Sequence, residues 1–159
     1  AGQMAGALPA QYSLDNSGEV PIGSIRLDDG TAHALGSDFV SAFDSALDAA
    51  ENDDSKAVVI IGNEKAFSAG FDLSVVASKD ATQSAKDALL HGGGMLVTRV
   101  YGFKKPVVLA VTGHALALGA IMLFAGDVRI GPAEQGAPKP ARIGMNEVKA
   151  SFDMHTRFA

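Results

Sequence analysis

Lys105-Pro106-Val107-Val108-Leu109-Ala110-Val111-Thr112-Gly113-His114-Ala115-Leu116-Ala117-Leu118-Gly119 decides how this chain is read. Pro106 opens an aliphatic run of strand length, and Thr112-Gly113 supplies the turn that ends it. An apolar helix is expected from about Ala117 to Ala125. The same order stands earlier in the chain. Ala57-Val58-Val59-Ile60-Ile61 is a β-branched run that fits a buried strand, and Gly62 to Asp72 is a loop carrying Ala66-Phe67-Ser68-Ala69-Gly70-Phe71-Asp72. Each strand thus runs into a bend of glycine and small residues, where a ligand can approach the main chain closely. A backbone N–H donates whatever side chain it carries, so two such bends can aim two donors at one carbonyl oxygen. The second bend opens a helix, whose first N–H groups lack internal partners and whose dipole favours negative charge.

Outward from these bends, Ile22-Gly23-Ser24-Ile25-Arg26-Leu27 alternates like a strand, and Asp28-Asp29-Gly30 closes it as a turn. Phe39, Val40, Phe43, Leu47 and Ala50 recur at helical spacing, with Ser37 or Asp38 as the expected cap. The strand–helix–strand order predicts a right-handed crossover. Residues 80–102 read as helix, with a local distortion expected at Gly92-Gly93-Gly94. That glycine run lacks the spacing and the preceding strand of a phosphate-binding fingerprint. Asp127-Val128-Arg129-Ile130 is a further strand, and Gly131 to Pro140 an irregular loop. Repeated strand–helix units argue for an α/β architecture. Residues 1–13, small and aperiodic, read as flexible or as an appended remnant.

At 159 residues the chain fits one domain. Its 47% apolar and 19% charged residues exclude a disordered composition. The net charge of −5, with lysine and arginine scattered, leaves no basic footprint for nucleic acid. The absence of cysteine excludes disulfides and thiolate chemistry and fits a reducing compartment. The run from Ala115 to Ala125 is too short to cross a bilayer, and no basic residue precedes Arg26. A soluble, cytoplasmic protein is expected. His33, His91 and His155 form no metal-spaced pair with nearby acids, so no metal site is expected.

The stretches Ala57–Leu73, Lys105–Leu116 and Asp127–Ile130, followed by Arg142-Ile143-Gly144-Met145-Asn146-Glu147-Val148, resemble the crotonase superfamily, the enoyl-CoA hydratase/isomerase family. The resemblance covers roughly residues 20–148. It implies a crotonase-like fold of repeated ββα units that binds acyl-coenzyme A thioesters and assembles as a trimer or hexamer. No cofactor is implied beyond the coenzyme A that belongs to the substrate, and neither nucleic acid nor membrane is a partner. Carried over by position, the N–H groups of Phe71 and Leu118 would hold the thioester oxygen as an oxyanion hole. Ala69, Gly70, Phe71, Asp72, Leu73 and Ser74 would line the adenine and pantetheine side, with Leu118 and Gly119 completing the substrate site. Glu147 would be the general acid/base. The acyl-CoA-binding core would span 14–148. Residues 149–159 do not resemble the family's continuation, so its C-terminal helical part is expected to be missing or truncated.

The chain departs from the family in its second bend. Consecutive glycines and a catalytic glutamate are usual there, whereas this chain has Ala117, Leu118, Gly119, Ala120 and Ile121. Ile121 cannot move a proton. Leu118 can still donate if its φ is negative and its side chain turns away from the ligand. One retained carboxylate suits a 1,3-proton shift, while hydration is better served by two. Enoyl-CoA isomerisation is therefore favoured over hydration. The alternative is a non-catalytic acyl-CoA binder or an assembly subunit, and a ligand-free α/β scaffold is a third reading. Asp72 is expected to cap a helix, His114 and Asp127 to make structural hydrogen bonds, and Met95 and Met122 to fill the core.

Overall fold

The computed structural model describes residues 8–131 and 141–145. In chain order the strands are β1 (Ala10–Asp15), β2 (Ile22–Leu27), β3 (Ala34–Leu35), β4 (Ala57–Ile61), β5 (Ala66–Ser68), β6 (Gly70–Phe71), β7 (Val107–Ala110), β8 (His114–Leu116), β9 (Val128–Ile130) and β10 (Ile143–Gly144). The helices are α1 (Ser37–Glu51), α2 (Leu73–Val76), α3 (Gln83–Tyr101) and α4 (Leu118–Met122).

The aliphatic runs form the middle of a five-stranded sheet of order β1-β2-β4-β7-β9. β2, β4, β7 and β9 run parallel, and β1 lies antiparallel against β2. Parallel strands need crossovers, and α1 supplies the one from β2 to β4. Ile25, Val58, Ile60 and Leu109 are fully buried between neighbouring strands and the helices. α1 turns Phe39, Ala42, Phe43, Ala46, Leu47 and Ala50 onto this sheet, which explains their spacing.

The end of α1 is tied to the sheet by Lys105. Its ammonium donates to Ala50 O (2.5 Å), Asp53 O (2.8 Å), Asp53 Oδ1 (2.9 Å) and Ser55 Oγ (3.0 Å). The Tyr12 hydroxyl donates to the same carboxylate. A cation on the last carbonyls of a helix satisfies acceptors that have no partner within it.

After each central strand the chain makes a second, shorter strand. β5 and β8 pair parallel and join β10 in a small sheet of order β10-β8-β5, while β6 pairs with β3 in a two-stranded ribbon. The recurring order is therefore strand, short strand, helix: β4, β5 and then α2 and α3; β7, β8 and then α4. This is the ββα repeat that the resemblance implied.

Several expectations are corrected. Residues 10–13 are not flexible, because they belong to β1, and the alternation of Ala10, Tyr12 and Leu14 with Gln11, Ser13 and Asp15 carries that strand. Its pairing puts the start of the folded core at or before Ala10 rather than at 14. Neither Ser37 nor Asp38 caps α1; Gly36 occupies that position without a side-chain bond. Gly92-Gly93-Gly94 does not break α3, which runs unbroken for 19 residues. The apolar helix is shorter than expected, five residues from Leu118. Met122 is buried, but Met95 is exposed and fills no core. The expected loop at 131–140, apart from Gly131, and the tail at 149–159 lie outside the described residues.

Candidate functional site

The first bend is held from beneath by a buried histidine. His33 is fully buried and has a φ of 54°, a left-handed conformation that histidine tolerates better than most residues. Its Nδ1–H donates to Phe67 O (3.0 Å), and its Nε2 accepts from the Asn63 amide (2.9 Å). Those partners assign the tautomer. Ser68 Oγ–H donates to His33 O (2.8 Å), and the Gly70 N–H donates to Ser68 Oγ (3.1 Å). The turn from Phe67 to Gly70 is thus pinned at three points before Phe71 is reached.

The register of the small ribbon then settles where the Phe71 N–H faces. Leu35 lies opposite Phe71, and the Asp72 N–H donates to Leu35 O (3.0 Å). Successive N–H groups on a strand point to opposite edges. The Phe71 N–H therefore faces away from β3, toward the edge of β6 that pairs with no strand among those described. Immediately afterwards Asp72 caps α2, its Oδ1 accepting from the Ser74 N–H at 2.8 Å, as expected.

The second bend brings Leu118 to the start of α4. Ala117 O accepts from the N–H groups of Ala120 and Ile121, and the Ala117 N–H donates to Gly144 O. The N–H groups of Leu118 and Gly119 have no acceptor among the described residues. Leu118 has a negative φ, because only His33 and Ala117 are positive-φ non-glycine residues among those described. Its side chain is buried. The negative φ is the first of the two conditions set for a donating Leu118.

The two bends abut. Gly70 has φ +88°, and a Cβ built on it would fall 3.1 Å from Leu118 N and 2.6 Å from Ala117 Cβ. Only glycine meets both the conformation and the spacing. On the other side of the contact, a Cβ on Gly119 would fall 2.4 Å from Ser68 O, so α4 lies directly against β5. A strand edge and a helix start, each with an N–H turned out of the regular ladder, are thus brought side by side.

Of the other substrate-site candidates, Ala69 donates its N–H to Ala32 O, while Leu73 and Ser74 form the exposed first turn of α2. Glu147 lies outside the described residues. Ile121 is partly buried beyond the first residues of α4. It lines a small apolar cleft of about 310 Å³ with Val97, Thr98, Tyr101, Phe124 and Ala125.

A model of the enoyl-CoA hydratase/isomerase family matches residues 18–152. The chain belongs to this family. The family's fold is equally clear in solved structures. The apo structure of an enoyl-CoA isomerase from Mycobacterium tuberculosis superposes with a TM-score of 0.78 at 36% identity, covering 91% of this chain and 57% of that one. An enoyl-CoA hydratase/isomerase family protein from Pseudomonas syringae gives 0.80 at 34% identity, covering 92% and 58%. In sequence, a putative enoyl-CoA hydratase of Thermus thermophilus is 39% identical over 110 residues, covering 67% of this chain. The chain spans 41% of the length of that relative.

Within the crotonase superfamily frame, the family motifs acquire physical reasons. Lys105 ties α1 to the sheet. Asp127 Oδ2 accepts from the Val107 N–H at 2.7 Å, and Arg129 donates to Leu123 O and Gly126 O just beyond α4. His114 Nδ1 accepts from the Arg142 N–H at 2.9 Å, the structural role expected of it. No group of three or more metal-ligating side chains occurs among the described residues, and none of their helices is long and apolar enough to cross a membrane.

His33, which pins the first bend, is the residue of this region that the sequence left unassigned. Its signal was weak: a histidine three residues after a glycine turn, suited to a left-handed position.

Proposed function

We propose that this chain acts on acyl-coenzyme A thioesters, with the N–H groups of Phe71 and Leu118 donating to the thioester oxygen and Glu147 transferring the proton. The observation that supports this reading is the contact between the bends: two N–H groups without an acceptor among the described residues, on backbones that meet at Gly70 and Leu118. Charge developing on the thioester oxygen is stabilised most where donors are fixed in advance, and loss of one such donor costs roughly 3 kcal/mol in the barrier. Ala69, Gly70, Asp72, Leu73 and Ser74 would carry the coenzyme A side, and Gly119 would close the space beside Leu118. The relatives, named both hydratases and isomerases, support the substrate class and leave the direction of chemistry open.

Isomerisation is the favoured chemistry. Ile121 puts an apolar side chain in place of one of the two carboxylates that hydration would use, and Glu147 alone can take a proton from one carbon and return it to another. The assembly proposed is a homotrimer or a hexamer, with no cofactor and no metal, in the cytoplasm. The test is an assay of 2- and 3-enoyl thioesters with the wild-type chain and Glu147→Gln. The expected result is interconversion of the two positional isomers, abolished in the variant while coenzyme A binding is kept. Hydration faster than isomerisation would overturn the favoured direction. Tight binding without turnover would favour the binder.

A further inference from the structure

The glycine run in α3 carries a second consequence. Gly93 is buried, and a Cβ built on it would fall 2.5 Å from Phe71 Cε1, 2.9 Å from Phe71 Cζ and 2.7 Å from Leu118 Cδ2. The side chains of the two donor residues therefore share one notch, cut into the helix at a single position. Its neighbours differ. A Cβ on Gly92 would meet only Val40 Cγ1 at 3.2 Å, and one on Gly94 would meet nothing within 4 Å. An alanine in mid-helix is favoured over glycine by helix propensity, so the absence of a side chain at 93 runs against the local preference of the segment.

We propose that Gly93 is a positioning residue: by seating the Phe71 ring and the Leu118 side chain in one notch of α3, it fixes the direction of both main-chain donors. This rests on the proposed function of those donors. The physical argument is one of rigidity. Leu118 Cδ2 is the far end of a flexible side chain and can turn aside. The Phe71 ring is rigid, and β6 is only two residues long, so displacement of the ring passes into the Phe71 backbone. A shift of about 1 Å in a catalytic group can cost on the order of 10²-fold in rate. Both donors act most strongly on charge that develops in the transition state, so the loss falls on kcat rather than on KM.

The experiment compares the wild-type chain, Gly93→Ala and Gly94→Ala for turnover of enoyl thioesters and for thermal melting. Gly94→Ala makes the same propensity change one residue away without a contact. It is expected to melt higher and to keep its kcat. Gly93→Ala is expected to lose about 10²-fold in kcat with KM within about threefold. If Gly93→Ala does not fold at about 25 °C, it is assayed beside the wild type at low temperature in a stabilising osmolyte such as sucrose. Folding there with the same loss of kcat supports the notch, whereas failure to fold there overturns the positioning role, because Gly93 then serves the fold and not the donors. An unchanged kcat in folded Gly93→Ala, or an equal loss in Gly94→Ala, overturns this inference alone. Wild-type inactivity on every thioester overturns the proposed function and this inference with it.

Discussion

At the scale of single residues, Ala117 is under the clearest strain. Its φ of 51° and ψ of −125° lie where glycine is at ease and a Cβ is not. Such a residue costs on the order of 1–3 kcal/mol, persisting only because its surroundings fix it. Here the fixing groups are the Ala117 N–H on Gly144 O and the turn of α4 that begins on Ala117 O. Ala117→Gly is expected to stabilise the chain by about 1 kcal/mol, which calorimetry would read as a rise of roughly 3 °C in Tm. A fall in Tm would show that the Cβ packing at Gly70 outweighs the strain. The sequence identified Ala117 as a departure from a glycine-rich pattern. It did not reveal the positive φ, because one of the groups that fix the conformation is Gly144 of β10, an element distant in the chain.

At the scale of elements, the junction of α1, β1 and β4 is the sharpest electrostatic feature. Burial acts to raise the Asp53 carboxyl, but hydrogen bonds from Ser55, Tyr12 and Lys105 outweigh it and hold Asp53 well below the usual carboxylate range. Burial and the same carboxylate push the Tyr12 hydroxyl up to about 12. A lowered carboxylate contributes stability that is complete above its unfolded value, near 4, and is lost as pH falls toward its folded value. Melting between pH 3 and 5 is therefore expected to fall more steeply for the wild type than for Asp53→Asn. Parallel slopes would remove Asp53 from the acid transition. Lys105→Met takes the ammonium away from Ala50 O, Asp53 O and the Asp53 carboxylate, which keeps only its bonds from Ser55 and Tyr12. It is expected to cost about 3 kcal/mol, read from chemical denaturation, with a loss below 1 kcal/mol counting against the role. The elements themselves were largely legible: β2 and α1 follow from periodicity, β4 and β7 from unbroken aliphatic runs, and β9 and α3 were also read in the sequence. β1 was missed because small residues hid a true alternation. β3, β6, β5 and β8 are too short to show a period, and their pairing is entirely tertiary.

At the scale of the whole molecule, the two bends meet because β4 and β7 are parallel neighbours in the sheet. Their ends carry the loops to the same side, and the short strands β5 and β8 then pair to fix the spacing. Residue patterns located both bends, and the resemblance carried the proposed donor roles over to Phe71 and Leu118, but neither revealed that Gly93 lies against both side chains. That contact lies between segments that share no sequence pattern. Assembly belongs to this scale as well. α3 and α4 leave Tyr101 and Phe124 about four-fifths exposed, an apolar surface beside the Ile121 cleft. Sedimentation equilibrium is expected to return three or six chain masses, and a monomer at micromolar concentration would refute the proposed oligomer.

The free edge of β6 and the open first turn of α4 also bear on how the molecule exchanges with solvent deuterium. Main-chain protons within β4 and β7 wait for large openings before they are replaced, since each is engaged in a ladder. Those of Phe71 and Leu118 have no acceptor among the described residues. In a time-resolved labelling map they stand as two early-exchanging points beside long-protected strands, and an occupant taking both would slow the pair together.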